Sequence, residues 1–277
     1  MNGSTLYVAG QVAYDGTDYH GFQLQRNVAT VQGVLESALQ ALTGVTIRVT
    51  GSGRTDTGVH ARGQVIAAHV PWRHSLLALQ RAWNAHLPPT VAVRQLRLAP
   101  DDFHPRFSAQ WRTYRYTVYD HLVAFGATDE VPPNHSPLTD RFALHMRVTL
   151  DWVGMQKAAN YLVGEHDFAT FGQPPQGENT IRCLRQAEWQ VVETNLPSLD
   201  NHPGRCLVFT VTANAFLRHM VRNLVGTLLA VGRGEWSPEQ VKNALAARDR
   251  ALCAPPAPAC GLVLESVTYP VAMNPWV

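Results

Sequence analysis

The chain has 277 residues, 45% hydrophobic and 16% charged, which is enough apolar material for a buried core and excludes a disordered, highly charged chain. No apolar run reaches the ~18 residues of a membrane span, and MNGSTLYVAG lacks the basic-then-apolar pattern of a secretion leader, so the expectation is a cytoplasmic protein with no membrane partner. The net charge of +2 does not announce a nucleic-acid partner, but Lys157 and Lys242 are the only lysines among 23 basic residues. Arginine binds phosphate bidentately and stacks on bases, although arginine-favouring codon usage gives the same composition.

In chain order, residues 6–14 read as a strand stopped by Asp15-Gly16. Thr30 is placed to cap a helix to Leu42, whose apolar residues Val31, Val34, Leu35, Ala38, Leu39 and Leu42 share one face. Residues 45–50 are a β-branched strand, and 64–70 another. Ser75 caps a second helix to His86, stopped by Pro88-Pro89, and 91–98 form a further strand. This half therefore reads β-α-β-β-α-β.

The second half repeats that order loosely. Residues 110–119 read as a strand, 120–150 as an irregular insert, 151–163 as a helix and 164–180 as a loop. Strands follow at 181–193 and 205–213, then helices at 216–232 and 238–247, and a last strand at 262–269. The expected class is α+β, with two ferredoxin-like halves, 1–107 and 108–277. Their mixed or antiparallel sheets would join and leave a cleft.

GSGRTDTGVHARGQV (51–65) is the stretch that carries chemistry. A dinucleotide fingerprint fails because Asp56 stands where the third glycine belongs. A phosphate-cradling loop fails because Val59-His60 replace the lysine and hydroxyl residue. A zinc deaminase would need H-x-E with a later P-C-x-x-C, and neither is present. Cys183, Cys206, Cys253 and Cys260 form no CxxC pair, so neither a cysteine zinc site nor a disulfide framework is expected. What is left is a carboxylate beside Arg54 in a glycine-rich turn. Either Asp56 closes an Asx-type turn on its own backbone, or it is a nucleophile or base kept ionised by arginine.

Here the chain resembles the tRNA pseudouridine synthase A family. GRTDTGVHA (53–61) is similar to its catalytic motif. In the same order come YDGTDYHGFQ (14–23), TVQ with LESAL (30–39), DDFHPRFSA (101–109), YRY (114–116), GEHDFATF (164–171), NAFLRHMVRNLVG (214–226) and GLVLESVTYP (261–270). The resemblance implies the pseudouridine synthase fold with a central active-site cleft. It implies a homodimer that isomerises uridines 38, 39 and 40 in the anticodon stem-loop of tRNA, with no cofactor and no metal. It makes Asp56 the nucleophile and gives the substrate to Arg54, Tyr114, Arg222 and Leu262. Arg222 would pair with Asp56, and Tyr114 would stack on the target uracil.

From pattern alone, Tyr114 also fits ordinary strand packing, Arg222 a solvated basic face shared with Arg218, and Leu262 a core strand. Arg26, His60, Arg62, Arg106 and Arg112 lie near motifs and could hold phosphates. Phe22 stands where the family usually has tryptophan, and Thr57 where alanine is more frequent. The path taken by Asp56 stays open among attack at C1′, attack at C6 and removal of a ribose proton.

Overall fold

A computed structural model describes residues 5–121, 136–174, 177–192 and 204–277. In chain order the elements are β1 (Thr5–Tyr14), α1 (Val31–Thr43), β2 (Thr50–Gly51), β3 (His60–Pro71), α2 (Leu76–Ala85), β4 (Val91–Leu98), β5 (Trp111–His121) and β6 (Leu144–Met146). They continue with α3 (Trp152–Asn160), β7 (Gly164–Asp167), β8 (Ile181–Val192), β9 (Gly204–Ala213), α4 (Met220–Gly232), α5 (Pro238–Ala247) and β10 (Leu262–Thr268). The chain divides into two compact units, Met1–Arg112 with Val263–Val277, and Thr113–Leu262.

In the first unit the strands run β4-β1-β3-β10. β1 is antiparallel to both β3 and β4, while β10 joins β3 in parallel through Val263 opposite His60 and Leu264 opposite Ala61. A division by sequence order puts the C-terminal strand in the second half. The contacts put it in the first, because its side chains complete that unit's core. Tyr269 packs with Ala9, Val65, Ala67 and Phe103, and Val267 and Trp276 close over them.

Both helix starts expected in this unit are found. Thr30 accepts from the Gly33 N–H and Ser75 from the Ala78 N–H, each satisfying a donor the first turn leaves open. The strand expected at 45–50 shrinks to Thr50–Gly51. The backbone of Val49 is satisfied by α1 instead of by a neighbouring strand. Its carbonyl accepts from Gln32 Nε2 at 3.0 Å, and its N–H donates to Glu36 Oε1 at 3.0 Å.

The second unit orders its strands β5-β9-β8-β7. β7 lies within the stretch read as a loop. GEHD lacks β-branched alternation, yet it pairs antiparallel with Ile181–Leu184 of β8. Likewise the insert holds β6, parallel to Val118–Asp120 of β5, while residues 122–135 of that insert lie outside the described residues.

Asp120 is fully buried and takes a two-pronged bond from Arg205, whose guanidinium also donates to the Leu150 carbonyl at 2.9 Å. The Leu150 N–H donates to the same carboxylate at 2.9 Å, so the described end of the insert is tied to β5 and β9. α4 is buried on every side except at Arg222. It begins at Met220 and not at 216, because His219 takes a left-handed backbone, φ 62°, and Arg218 forms an antiparallel bridge to Gln173.

Candidate active site

The Asp56 loop joins β2 to β3 and is held from several directions. Gln64, fully buried in β3, donates from Nε2 to the Gly53 carbonyl at 2.9 Å, and its Oε1 accepts from Ser52 Oγ at 2.5 Å. The Ser52 N–H donates to the Val65 carbonyl. Tyr14, the last residue of β1, shares a 2.8 Å hydrogen bond with Thr55 Oγ1. Burial pushes the Tyr14 phenol up to about 12, partly offset by its bonds to Thr55 and Gln64.

The segment after β1 presses on the loop from the other side. The Phe22 N–H donates to the Thr55 carbonyl, and the Gly58 N–H to the Tyr19 carbonyl, both at 3.2 Å. Gly21 has φ +85°, and a Cβ there would lie 2.5 Å from the Thr55 carbonyl oxygen. Only glycine meets both conditions. Gly51 is filled differently, since a Cβ would fall 2.4 Å from the Phe22 ring. This glycine admits Phe22 of the YDGTDYHGFQ motif, while the space over Gly53 is open.

The clamped residues are therefore 52, 53, 55 and 58. Arg54 and Thr57 between them are exposed, and Asp56 is half-buried. Below the loop, buried His60 Nδ1 lies 3.0 Å from the Gly16 N–H and 3.2 Å from Asp15 Oδ1, so His60 belongs to the support and not to a phosphate-binding surface. Arg62 is paired at 3.1 Å with Glu265 of β10.

In the second unit, Tyr114 is partly buried on β5 and meets the Phe216 ring edge-on, centroids 5.2 Å apart. Two residues on, Tyr116 is fully buried and donates to the Pro258 carbonyl at 2.9 Å; burial raises its phenol strongly. Arg222 does not lie on a solvated face and shares none with Arg218, which precedes the helix. Its Nε donates to the Ala257 carbonyl at 2.7 Å, and the Ala257 N–H returns a bond to the Arg222 carbonyl at 2.9 Å. The loop that ends at Leu262 is thereby laced to α4 and, through Pro258, to β5. Leu262 is itself buried, with its N–H on the Ala259 carbonyl at 2.9 Å.

Arg54 and Asp56 thus share one loop of the first unit, and in the second unit Arg222 and Leu262 are joined through the loop at Ala257, while Tyr114 lies apart from that lacing against Phe216. Among the described residues, no group of three or more histidine, cysteine or acidic residues is placed to hold a metal ion.

A family model described as tRNA pseudouridine synthase matches residues 11–108 and 158–270. The chain is 43% identical over 271 residues to tRNA pseudouridine synthase A of Chloroflexus aurantiacus J-10-fl, covering 98% of this chain and 91% of that one. The chain belongs to the tRNA pseudouridine synthase family. Relatives of the same name include those of Vibrio cholerae O395, 40% identical with 96% and 92% covered, and Roseiflexus sp. RS-1, 42% identical with 95% and 90% covered.

Within this family frame, Tyr14, Gln64 and Tyr116 are the residues that motif reading passes over. Gln64 was detectable as a lone amide directly before the apolar run VIAA. Tyr14 and Tyr116 sit inside quoted motifs, but their partners, Thr55 and Pro258, are 41 and 142 residues away.

Proposed function

We propose that the protein isomerises uridines 38, 39 and 40 of tRNA anticodon stem-loops to pseudouridine, with Asp56 as the nucleophile. Family membership supports the reaction class, and the clamped loop with its half-buried carboxylate carries the assignment of Asp56. The N1–C1′ bond breaks, the uracil turns, C5 bonds to C1′, and the proton leaving C5 is balanced by one gained at N1. A carboxylate suits a sugar that becomes electron-poor when its base leaves, as in glycosidases. The base stays in the site, so a single aspartate suffices where glycosidases use two carboxylates.

Substrate binding falls to Arg54, Tyr114, Arg222 and Leu262. Arg54 is exposed beside the nucleophile and can meet phosphate, and Tyr114 offers its ring to the uracil. The target must leave its stack, at a cost of a few kcal/mol, which stacking and phosphate contacts offset. The protein acts in the cytoplasm as a homodimer. Among the described residues, no helix is long and apolar enough to cross a membrane.

The deciding experiment uses tRNA carrying 5-tritiated uridine, because the new bond at C5 expels the label. Wild type is expected to release tritium, and a folded, tRNA-binding Asp56→Ala to release none. No release by wild type from tRNA that it binds would refute the proposal.

A further inference from the structure

DDFHPRFSA, between β4 and β5, takes no part in the proposed chemistry, yet it presents an ordered aromatic ring to solvent. Phe107 is 75% exposed, whereas Phe103 in the same motif is 2% exposed. The turn that carries Phe107 is held at both ends. Tyr269 donates to the Pro105 carbonyl at 2.8 Å, and Arg112 to the Arg106 carbonyl at 2.7 Å. His104 Nδ1 faces the backbone N–H groups of Arg106 and Phe107 at 3.1 and 3.2 Å, and Ser108 Oγ accepts from the His104 N–H at 3.0 Å. The His104 and Phe107 rings lie 4.3 Å apart, tilted by 34°, and the exposed Arg106 guanidinium is 5.4 Å from the Phe107 centroid.

A phenylalanine left in water gains nothing for folding, and one held in place by this many backbone contacts has little entropy left to lose on binding. Pro105 is buried and Ala109 packs on the core, so the turn's other side chains at the surface are a cation, an imidazole and a hydroxyl. That surround suits a nucleobase with its phosphate better than an apolar protein patch.

We propose that Phe107 is a stacking platform for an unpaired nucleobase of the RNA substrate, and that Arg106 meets the adjoining phosphate. This rests on the tRNA reading above. Stacking on an aromatic ring is tolerant of base identity, so such a platform serves many RNAs with different loops.

The test is fluorescence anisotropy with a labelled anticodon stem-loop and with a duplex that lacks the loop. Phe107→Ala is expected to weaken stem-loop binding roughly 5- to 100-fold, leave duplex binding and the salt slope unchanged, and keep the melting temperature. Phe107→Trp should restore the affinity, and Arg106→Ala should lower the salt slope by about one. Wild-type affinity in Phe107→Ala overturns the proposal. So does unchanged RNA affinity with a loss of dimer mass by light scattering, which gives the ring to a protein contact. Pseudouridine formation by wild type is followed on the same stem-loop. Its absence refutes the tRNA reading, whereas turnover by wild type with unaltered Phe107→Ala binding refutes only the platform.

Discussion

Tyr14 and Gln64 touch the Asp56 loop from inside the protein, through Thr55, Ser52 and Gly53, and neither is placed to meet RNA. Their effect should therefore fall on turnover. Tyr14→Phe removes a buried hydroxyl and leaves Thr55 Oγ1 without that partner, an expected cost of about 1 kcal/mol in urea unfolding. Loss of loop placement should lower kcat severalfold with KM little changed, read by single-turnover tritium release. Equal losses in kcat and tRNA affinity would mean that the loop itself binds RNA through Thr55. Tyr114→Phe keeps the ring and its edge contact with Phe216, so tRNA affinity should hold and any loss should lie in turnover. A filter-binding Kd that rises tenfold with turnover on saturating RNA unchanged would reject the stacking role.

The Asp56 loop joins a two-residue strand to a twelve-residue one, and its geometry depends on what lies against it. Gly21→Ala would drive a Cβ into the Thr55 carbonyl at a left-handed backbone position. We expect a soluble protein with lowered stability and strongly reduced tritium release. Asp120→Ala probes a different joint: it strands Arg205 in a mostly buried setting, for which removal of one partner typically costs about 3–5 kcal/mol.

Helices with hydroxyl caps and apolar periodicity were legible in the sequence, and so were long alternating strands. β2, β7 and the start of α4 were not. Val49 trades sheet partners for α1 side chains, GEHD forms a strand only because β8 offers an edge, and His219 adopts a left-handed turn that no propensity signals. The site divides the same way. Asp56 and Arg54 stand out by chemistry in a short loop. The lacing of Arg222 to Ala257 needs folding to join residues 35 positions apart, and a solvated helix face was the competing pattern.

Across the described residues, burial favours the protonated form of four phenols, Tyr7 among them. Burial raises Tyr14 to about 12, and Tyr116 and Tyr269 are raised by burial as well. Below about pH 10 folded and unfolded chains both hold these protons, so pH has no leverage through them. Above it the unfolded chain ionises first, and stability should fall as pH rises from 10 towards 12. Urea midpoints at pH 9 and 11 give the comparison, and an unchanged midpoint would contradict the burial of these groups. Light scattering should give twice the 30.6 kDa chain mass at micromolar concentration, and a monomer would remove the homodimer from the proposal.

The parallel seam between β3 and β10 also has a consequence for biosynthesis. His60 and Ala61, just past the Asp56 loop, wait for Val263 and Leu264, which leave the ribosome only after the whole of Thr113–Leu262. Until then Val65, Ala67 and Phe103 lack the Tyr269 ring that packs with them in the finished fold. A message truncated just before codon 263 would yield a chain that keeps Asp56 but lacks the residues that pair with His60 and Ala61.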